Sequence, residues 1–221
     1  MGDNGSVAEL APTPQLVLFD LDGTLTDSAD GIVASFRHAL AAVGAEVPTG
    51  DLAGRIVGPP MAHTLQTLVG EQADAALTAY RADYTTRGWS MNSVFDGIED
   101  LLRDLRDAGV RLAVATSKNE ITARRILEHF ALDKYFEVIA GADGTRSEKA
   151  DVVAHALAQL GPLPERVLMV GDRRHDVEGA AVHGINTVVV GWGYGSGDVI
   201  DSELRATHVA DIAGLREALS A

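Results

Sequence analysis

The sequence predicts an α/β protein: a parallel sheet with helices on both faces, interrupted after its first strand by an inserted all-helical cap. Three observations carry this expectation. The apolar run Leu16-Val17-Leu18-Phe19 suits a strand buried on both faces of such a sheet. From residue 98 onward short apolar runs alternate with helical patterns, the rhythm of right-handed βαβ crossovers. Between these, residues 29–92 carry helical spacing and no convincing strand.

Taken in order, Met1 to Gln15 holds Gly, Asn, Ser and two prolines and reads as a mobile tail (residues 1–15). The Leu16 strand follows. Ala29 to Val43 places Ile32, Phe36, Ala39, Leu40 and Val43 on one helical face, with Gly44 as its stop. Asp51–Val57, Met61–Val69 and Gln72–Arg87 read as further helices, parted by Gly58-Pro59-Pro60 and by Gly70. The cap is therefore assigned to residues 29–92, and the core to 16–28 with 93–221. In the core, Ile98–Ala108 is a helix closed by Gly109, and Arg111–Ala115 a strand. The helix Glu120–Phe130, strand Phe136–Ala140 and helix Glu148–Leu160 come next. The strand Arg166–Val170, helix His175–His183 and strand Thr187–Val190 follow. A glycine-rich loop, Gly191–Gly197, leads to an edge strand at Thr207–Ala210 and a last helix, Ile212–Leu219.

Composition narrows the function. At 221 residues the chain fits one domain, with or without a small insertion, and 46% hydrophobic against 23% charged residues can bury a sizeable core. The formal net charge of −14 argues against nucleic acid or an anionic membrane as the main partner. A chain this acidic must gather its few cations wherever it meets an anion. With no cysteine, disulfides, thiolate zinc sites and cysteine-based catalysis are excluded. The first residues lack a basic start and an apolar core, and no apolar run reaches membrane-spanning length, so a soluble cytoplasmic protein is expected.

The chemistry begins where the first strand ends. Asp20 and Asp22 lie just past Phe19, the position where open α/β sheets place their ligands. Residues i and i+2 share a face if the strand continues, so both acids can enter one cavity unless Gly23 turns the chain first. Close like charges need a cation or a proton between them. A divalent ion such as Mg²⁺ takes carboxylate and carbonyl oxygens, and a carboxylate can itself be a nucleophile with a second one as acid and base. A single Asp here would be a helix N-cap; the whole string DLDGTLTDS exceeds what a cap requires.

Three more strand ends repeat the pattern. Thr116-Ser117-Lys118-Asn119 follows the second strand, with a hydroxyl beside a helix N-terminus as a natural phosphate-oxygen donor. Thr116 is the leading candidate, Ser117 and Asn119 the secondary ones. Lys149 stands in the first turn of a helix, where a cation opposes the dipole unless it serves something; Arg146 is the alternative. Gly171-Asp172-Arg173-Arg174-His175-Asp176 ends another strand in an acid and puts a second acid within one helical turn. His175 and His183 lie near these acids, but no HExxH is present, and no Walker A or GxGxxG string occurs.

Together these four segments resemble the motifs of the haloacid-dehalogenase (HAD) superfamily, in its phosphatase form DxDGTLxDS, and the likeness covers residues 16 to about 220. The resemblance implies a Rossmann-like HAD core with a helical cap. It implies Asp20 as nucleophile, Asp22 as acid and base, Thr116 on the phosphoryl group, and Lys149 holding nucleophile and phosphate. It further implies Mg²⁺ bound by Asp20, the carbonyl of Asp22 and Asp172, with Asp176 behind them. Proline commonly follows the motif lysine in the family, whereas Ala150 follows Lys149 here. Within the superfamily the arrangement is similar to the phosphoglycolate phosphatase group, which includes nucleotidases and pyrophosphatases.

Specificity is expected from the cap. Arg55, beside Gly58-Pro59-Pro60, is either a cation for a substrate carboxylate or a plain surface residue. The implied activity is a Mg²⁺-dependent phosphatase working through an aspartyl-phosphate on a small phosphorylated metabolite or nucleotide. Four segments, Gln15 to Ser28, Ile56 to Met61, Tyr80 to Tyr84 and Val188 to Gly195, also resemble HAD-fold protein tyrosine kinases, where the acceptor is a protein partner. A β-phosphoglucomutase relative and a non-catalytic scaffold are the remaining alternatives.

Overall fold

In the computed structural model, which describes residues 13–195, 198, 204 and 206–220, strand β1 (Leu16–Phe19) is buried along its whole length. Successive side chains of a strand point to opposite faces. Val17 and Phe19 therefore pack into one hydrophobic cluster, and Leu16 and Leu18 into another on the reverse side. This double burial is why the run is continuous instead of alternating.

Beside β1 lie β4 (Arg111–Asn119) and β6 (Val167–Gly171), then β5 (Val138–Ala142), β7 (Asn186–Val190) and β8 (Ala206–Val209). The six strands run in the order β5-β4-β1-β6-β7-β8, all parallel. Helices α5 (Ile98–Asp107), α6 (Glu120–His129) and α9 (Ile212–Ser220) cover the Phe19 face with Leu101, Ile126 and Leu215. Helices α7 (Lys149–Leu160) and α8 (Arg174–Ala181) cover the Leu18 face with Val152, Val153 and Ala180. The chain order reverses at β1, so the ends of β1, β4 and β6 open on one crevice.

Between β1 and α5 the chain forms α1 (Ala29–Ala42), α2 (Leu52–Ile56), α3 (Met61–Val69) and α4 (Ala73–Thr86). These helices own a third hydrophobic cluster around Phe36, Leu40, Leu65 and Tyr80. The two chain crossings into this unit pair as a short antiparallel ribbon, β2 (Thr26–Asp27) with β3 (Ser93–Val94). Sequence periodicity missed both strands, because two residues cannot display a period. Arg173 is a further tie. Its buried guanidinium donates to the carbonyls of Gly54, at 2.8 Å, and Val57, satisfying orphan oxygens at the end of α2.

Two differences from the sequence reading have local causes. β4 extends to Asn119 instead of ending at Ala115, with a register irregularity between Thr116 and Asn119 where the chain bends toward the crevice. Residues 13–15 are tied down: Arg166 Nε donates to Thr13 O at 2.7 Å and Gln15 N to Arg166 O at 3.0 Å. The rest of the expected tail, residues 1–12, lies outside the described residues. No described helix is long and apolar enough to cross a membrane.

Candidate active site

Asp20 follows the last residue of β1, and its backbone N–H still donates to Val170 O at 2.8 Å, so the sheet sets its position. Its Oδ1 accepts from Lys149 Nζ at 2.8 Å. The same ammonium lies 2.6 Å from Asp176 Oδ1 and donates to Ala115 O at 3.0 Å. Lys149 is thus the cation that meets Asp20, from the first residue of α7. Arg146, the alternative, instead pairs with Glu120 and Asp143 at 3.0 and 2.9 Å.

Asp172 follows the C-terminal end of β6. Oxygens of Asp20, Asp172 and Asp176 lie within 4.8 Å of one another, all three residues buried. Asp176 also accepts from Arg173 N at 3.0 Å, and a Cβ at Gly171 would fall 2.4 Å from its carboxylate, so only glycine fits below it. Among these acids, burial above all, then the charges of Asp176 and Asp20, pushes Asp172 up to about 8. Burial likewise raises Asp20, outweighing the Lys149 attraction. Burial also acts on Asp176, but Lys149 and His175 overcome it and hold that acid low. Asp172 Oδ1 is buried and accepts no hydrogen bond. An orphaned carboxylate oxygen beside a second carboxylate is what a hard cation requires, so the residues fit one.

The glycine-rich stretch expected as a loop proves to be part of this site, over its described residues Gly191–Gly195; Ser196 and Gly197 lie outside them. Tyr194 N donates to Asp172 Oδ2 at 2.6 Å. Cβ atoms at Gly193 and Gly195 would fall 2.3 Å from Asp172 Cβ and 1.9 Å from its carbonyl oxygen, so the loop can wrap Asp172 only as glycine. The Tyr194 hydroxyl donates to Asp27 Oδ1 at 2.5 Å and accepts from the N–H groups of Ser28 and Ala29 at 2.9 and 3.1 Å. One side chain therefore joins the loop around Asp172 to the N-terminus of α1. Tyr194→Phe removes that junction and is expected to cost about 1–3 kcal/mol, visible as a lowered midpoint in thermal denaturation.

Asp22 enters the same crevice and pairs with Lys118 at 2.8 Å, both side chains buried. Lys118 also donates to the Tyr84 hydroxyl of α4 at 3.0 Å, so a cap residue helps to hold the cation that holds Asp22. Sequence reasoning missed Lys118, Arg173 and Tyr194. Their signals were a lysine directly after the Thr-Ser pair, an arginine directly after a motif acid, and glycines alternating around a tyrosine.

Thr116 is buried with its hydroxyl accepting from Lys118 N at 3.2 Å, which leaves its proton free to donate. Thr116 and Ser117 both face the cavity between cap and core. Asn119 lines it too, but its side-chain oxygen accepts from Thr122 N at 3.3 Å as the N-cap of α6. Arg55 is exposed and lies outside the cavity lining; Arg81 and Arg146 line it instead.

Residues 17–190 match the model of the haloacid dehalogenase-like hydrolase family. The chain is an enzyme of that family. The Mycobacterium tuberculosis protein named tyrosine-protein kinase PtkA is 69% identical over 212 residues, covering 94% of this chain and 73% of that protein. The solved structure of that kinase superposes with a TM-score of 0.87 at 68% identity, over 96% of this chain and 100% of that one. A Pseudomonas aeruginosa protein named 5'-nucleotidase is 41% identical over 208 residues, 92% of this chain and 94% of its own. The crystal structure of a predicted phosphatase from Clostridium acetobutylicum gives 0.85 at 36% identity, over 93% and 97%.

Proposed function

We propose that the chain is a Mg²⁺-dependent phosphomonoester hydrolase acting through an aspartyl-phosphate, with residues 29–92 as the cap that selects the substrate. The buried cluster of Asp20, Asp172 and Asp176, with Lys149 paired to Asp20, carries this reading. Asp20, Asp172 and the Asp22 carbonyl would hold the ion, which supplies positive charge against the acids and the phosphate oxygens.

Asp20 attacks phosphorus, the bond from phosphorus to the ester oxygen breaks, and Asp22 gives that oxygen its proton. Water then attacks phosphorus, its proton passes to Asp22, and the bond to Asp20 breaks to release inorganic phosphate. Lys149 orients Asp20 and meets the phosphoryl charge, and the Thr116 hydroxyl donates to an equatorial oxygen. Fixed donors of this kind are the usual dominant contribution. The substrate is a small phosphorylated metabolite or nucleotide, in a cytoplasmic setting. A panel of phosphomonoesters assayed with Mg²⁺ and with EDTA tests this; turnover that survives the chelator sinks it.

The 69% identity to a protein named a tyrosine-protein kinase supports a second reading, in which a partner's tyrosine replaces water as acceptor. Phosphate appearing on a protein tyrosine, with no ester hydrolysed, would favour it.

Metal dependence has a stability signature. Asp172, raised to about 8, keeps a proton that the unfolded chain loses near pH 4. The native state then binds more protons than the unfolded state, so metal-free stability falls as pH rises from about 4 to 8. Asp176, held low, loses its stabilising contribution only as pH falls through its lowered folded value, below this window. Thermal midpoints in EDTA should therefore drop from pH 5.5 to 8, and the gain on adding Mg²⁺ should be larger at pH 8. Asp172→Asn should flatten the slope; a wild-type profile already flat would refute the assignment.

A further inference from the structure

The cavity between cap and core measures about 610 Å³, room for roughly 20 waters at about 30 Å³ each. A phosphoryl group at Asp20 and Thr116 fills only its floor. The cap side of the cavity's lining is largely apolar, with Ile32, Ile56, Met61, Leu77, Tyr80 and Tyr84, whereas the core side carries polar groups such as Ser117, Thr122 and Ser147. The two tyrosines lie one helical turn apart on α4 with their rings stacked, centroids 5.5 Å apart and planes 8° apart.

The cations decide what such a wall accepts. Among the described residues the lining carries Arg81, Lys118 and Arg146. Lys118 is committed to Asp22 and the Tyr84 hydroxyl, and Arg146 to Glu120 and Asp143. Arg81 alone, exposed on α4, has no ion-pair partner among the described residues. A small substrate with nothing but a carboxylate beyond its phosphate would leave the apolar cap side uncovered, with Arg81 as its one uncommitted cation among the described residues. A flat aromatic group meets no such penalty and prefers stacked or edge contacts with tyrosine rings.

We infer that the substrate carries an aromatic ring system beyond its phosphate, an aryl ring or a nucleobase, seated on the cap wall. This rests on the phosphomonoester reading of the same site and names the class of ester. A small acid such as 2-phosphoglycolate is correspondingly a poor ligand.

The test reads binding in a variant that does not turn over. Calorimetric titration of Asp20→Asn with Mg²⁺ uses phenyl phosphate, O-phospho-L-tyrosine and AMP against 2-phosphoglycolate. The aromatic esters should bind at least about tenfold more tightly, the scale on which an apolar pocket discriminates. Tighter AMP assigns the ring to a nucleoside, and tighter phosphotyrosine assigns it to an aryl ester. Leu77→Asn, a half-buried substitution on the cap wall, should weaken the aromatic ligands several-fold and leave 2-phosphoglycolate unchanged. Equal or tighter binding of 2-phosphoglycolate overturns the inference, as does full aromatic affinity in Leu77→Asn. Aromatic preference without hydrolysis in the wild type upholds it while overturning the hydrolase reading; no binding of any ester overturns both.

Discussion

Asp20→Asn should abolish turnover, lowering it by at least about 10⁴-fold, while leaving the protein as stable as the parent or more so. The activity loss follows from the chemistry. An amide cannot carry the phosphoryl group, and residues acting as a unit lose nearly everything when one is removed. The stability expectation follows from burial. Asp20 is a buried acid raised above its ordinary range despite Lys149, with Asp172 and Asp176 within 4.8 Å. Removing the Asp20 charge relieves its repulsion with Asp172 and Asp176, and Asp176 remains 2.6 Å from Lys149 to pair with it. Functional sites commonly trade stability in this way. The measurements are turnover on the best ester, hydroxylamine-sensitive phosphate on the protein, and the thermal midpoint. A variant that is inactive but also several degrees less stable would mean that Asp20 is chiefly a structural partner of Lys149.

Lys149→Met carries the second large effect, and here activity and stability fall together. Two carboxylates, Asp20 and Asp176, lose their shared cation in a site where Lys149 itself is only 4% exposed. Stranding buried charge this way costs on the order of 3–5 kcal/mol, roughly 6–20 °C in midpoint for a chain of this size. Turnover should fall by about 10³-fold, because in the proposed mechanism the cation also meets the transferred phosphoryl charge. The double variant Lys149→Met/Asp176→Asn separates the two roles: it should recover much of the lost stability and none of the lost rate. Wild-type stability in the single variant would remove Lys149 from the network.

The acidic composition makes that network more telling. With a formal charge of −14, the chain nonetheless places Lys118, Lys149 and Arg173 with their side chains buried around one crevice. Lys118 and Lys149 pair with motif acids and Arg173 with Asp198 at 3.4 Å, and Lys118 and Arg173 reach the cap as well. The cap is therefore connected to the acids through cations as well as through the chain crossings. Tyr194 adds a neutral link of the same kind, from Asp172 to the start of α1.

What the amino-acid order determined by itself was local and periodic. Leu16 to Phe19 is a strand with an acid at its end because a short apolar run can be buried only one way in a parallel sheet. The same reasoning pointed to the other strand ends, and with them to Asp20, Thr116 and Asp172, with Lys149 and Arg146 both left as the cation. The tertiary structure alone decided the contacts between distant positions. It chose Lys149 over Arg146 as the partner of Asp20, across 129 positions. It tied Asn119 to a helix cap and left Arg55 outside the cavity. It bound Tyr194 to Asp27 across 167 positions and Arg173 to Gly54 across 119. No periodicity encodes such pairs, because a side chain's neighbours along the chain do not set its neighbours in space; only the folding of sheet against cap brings those charges together.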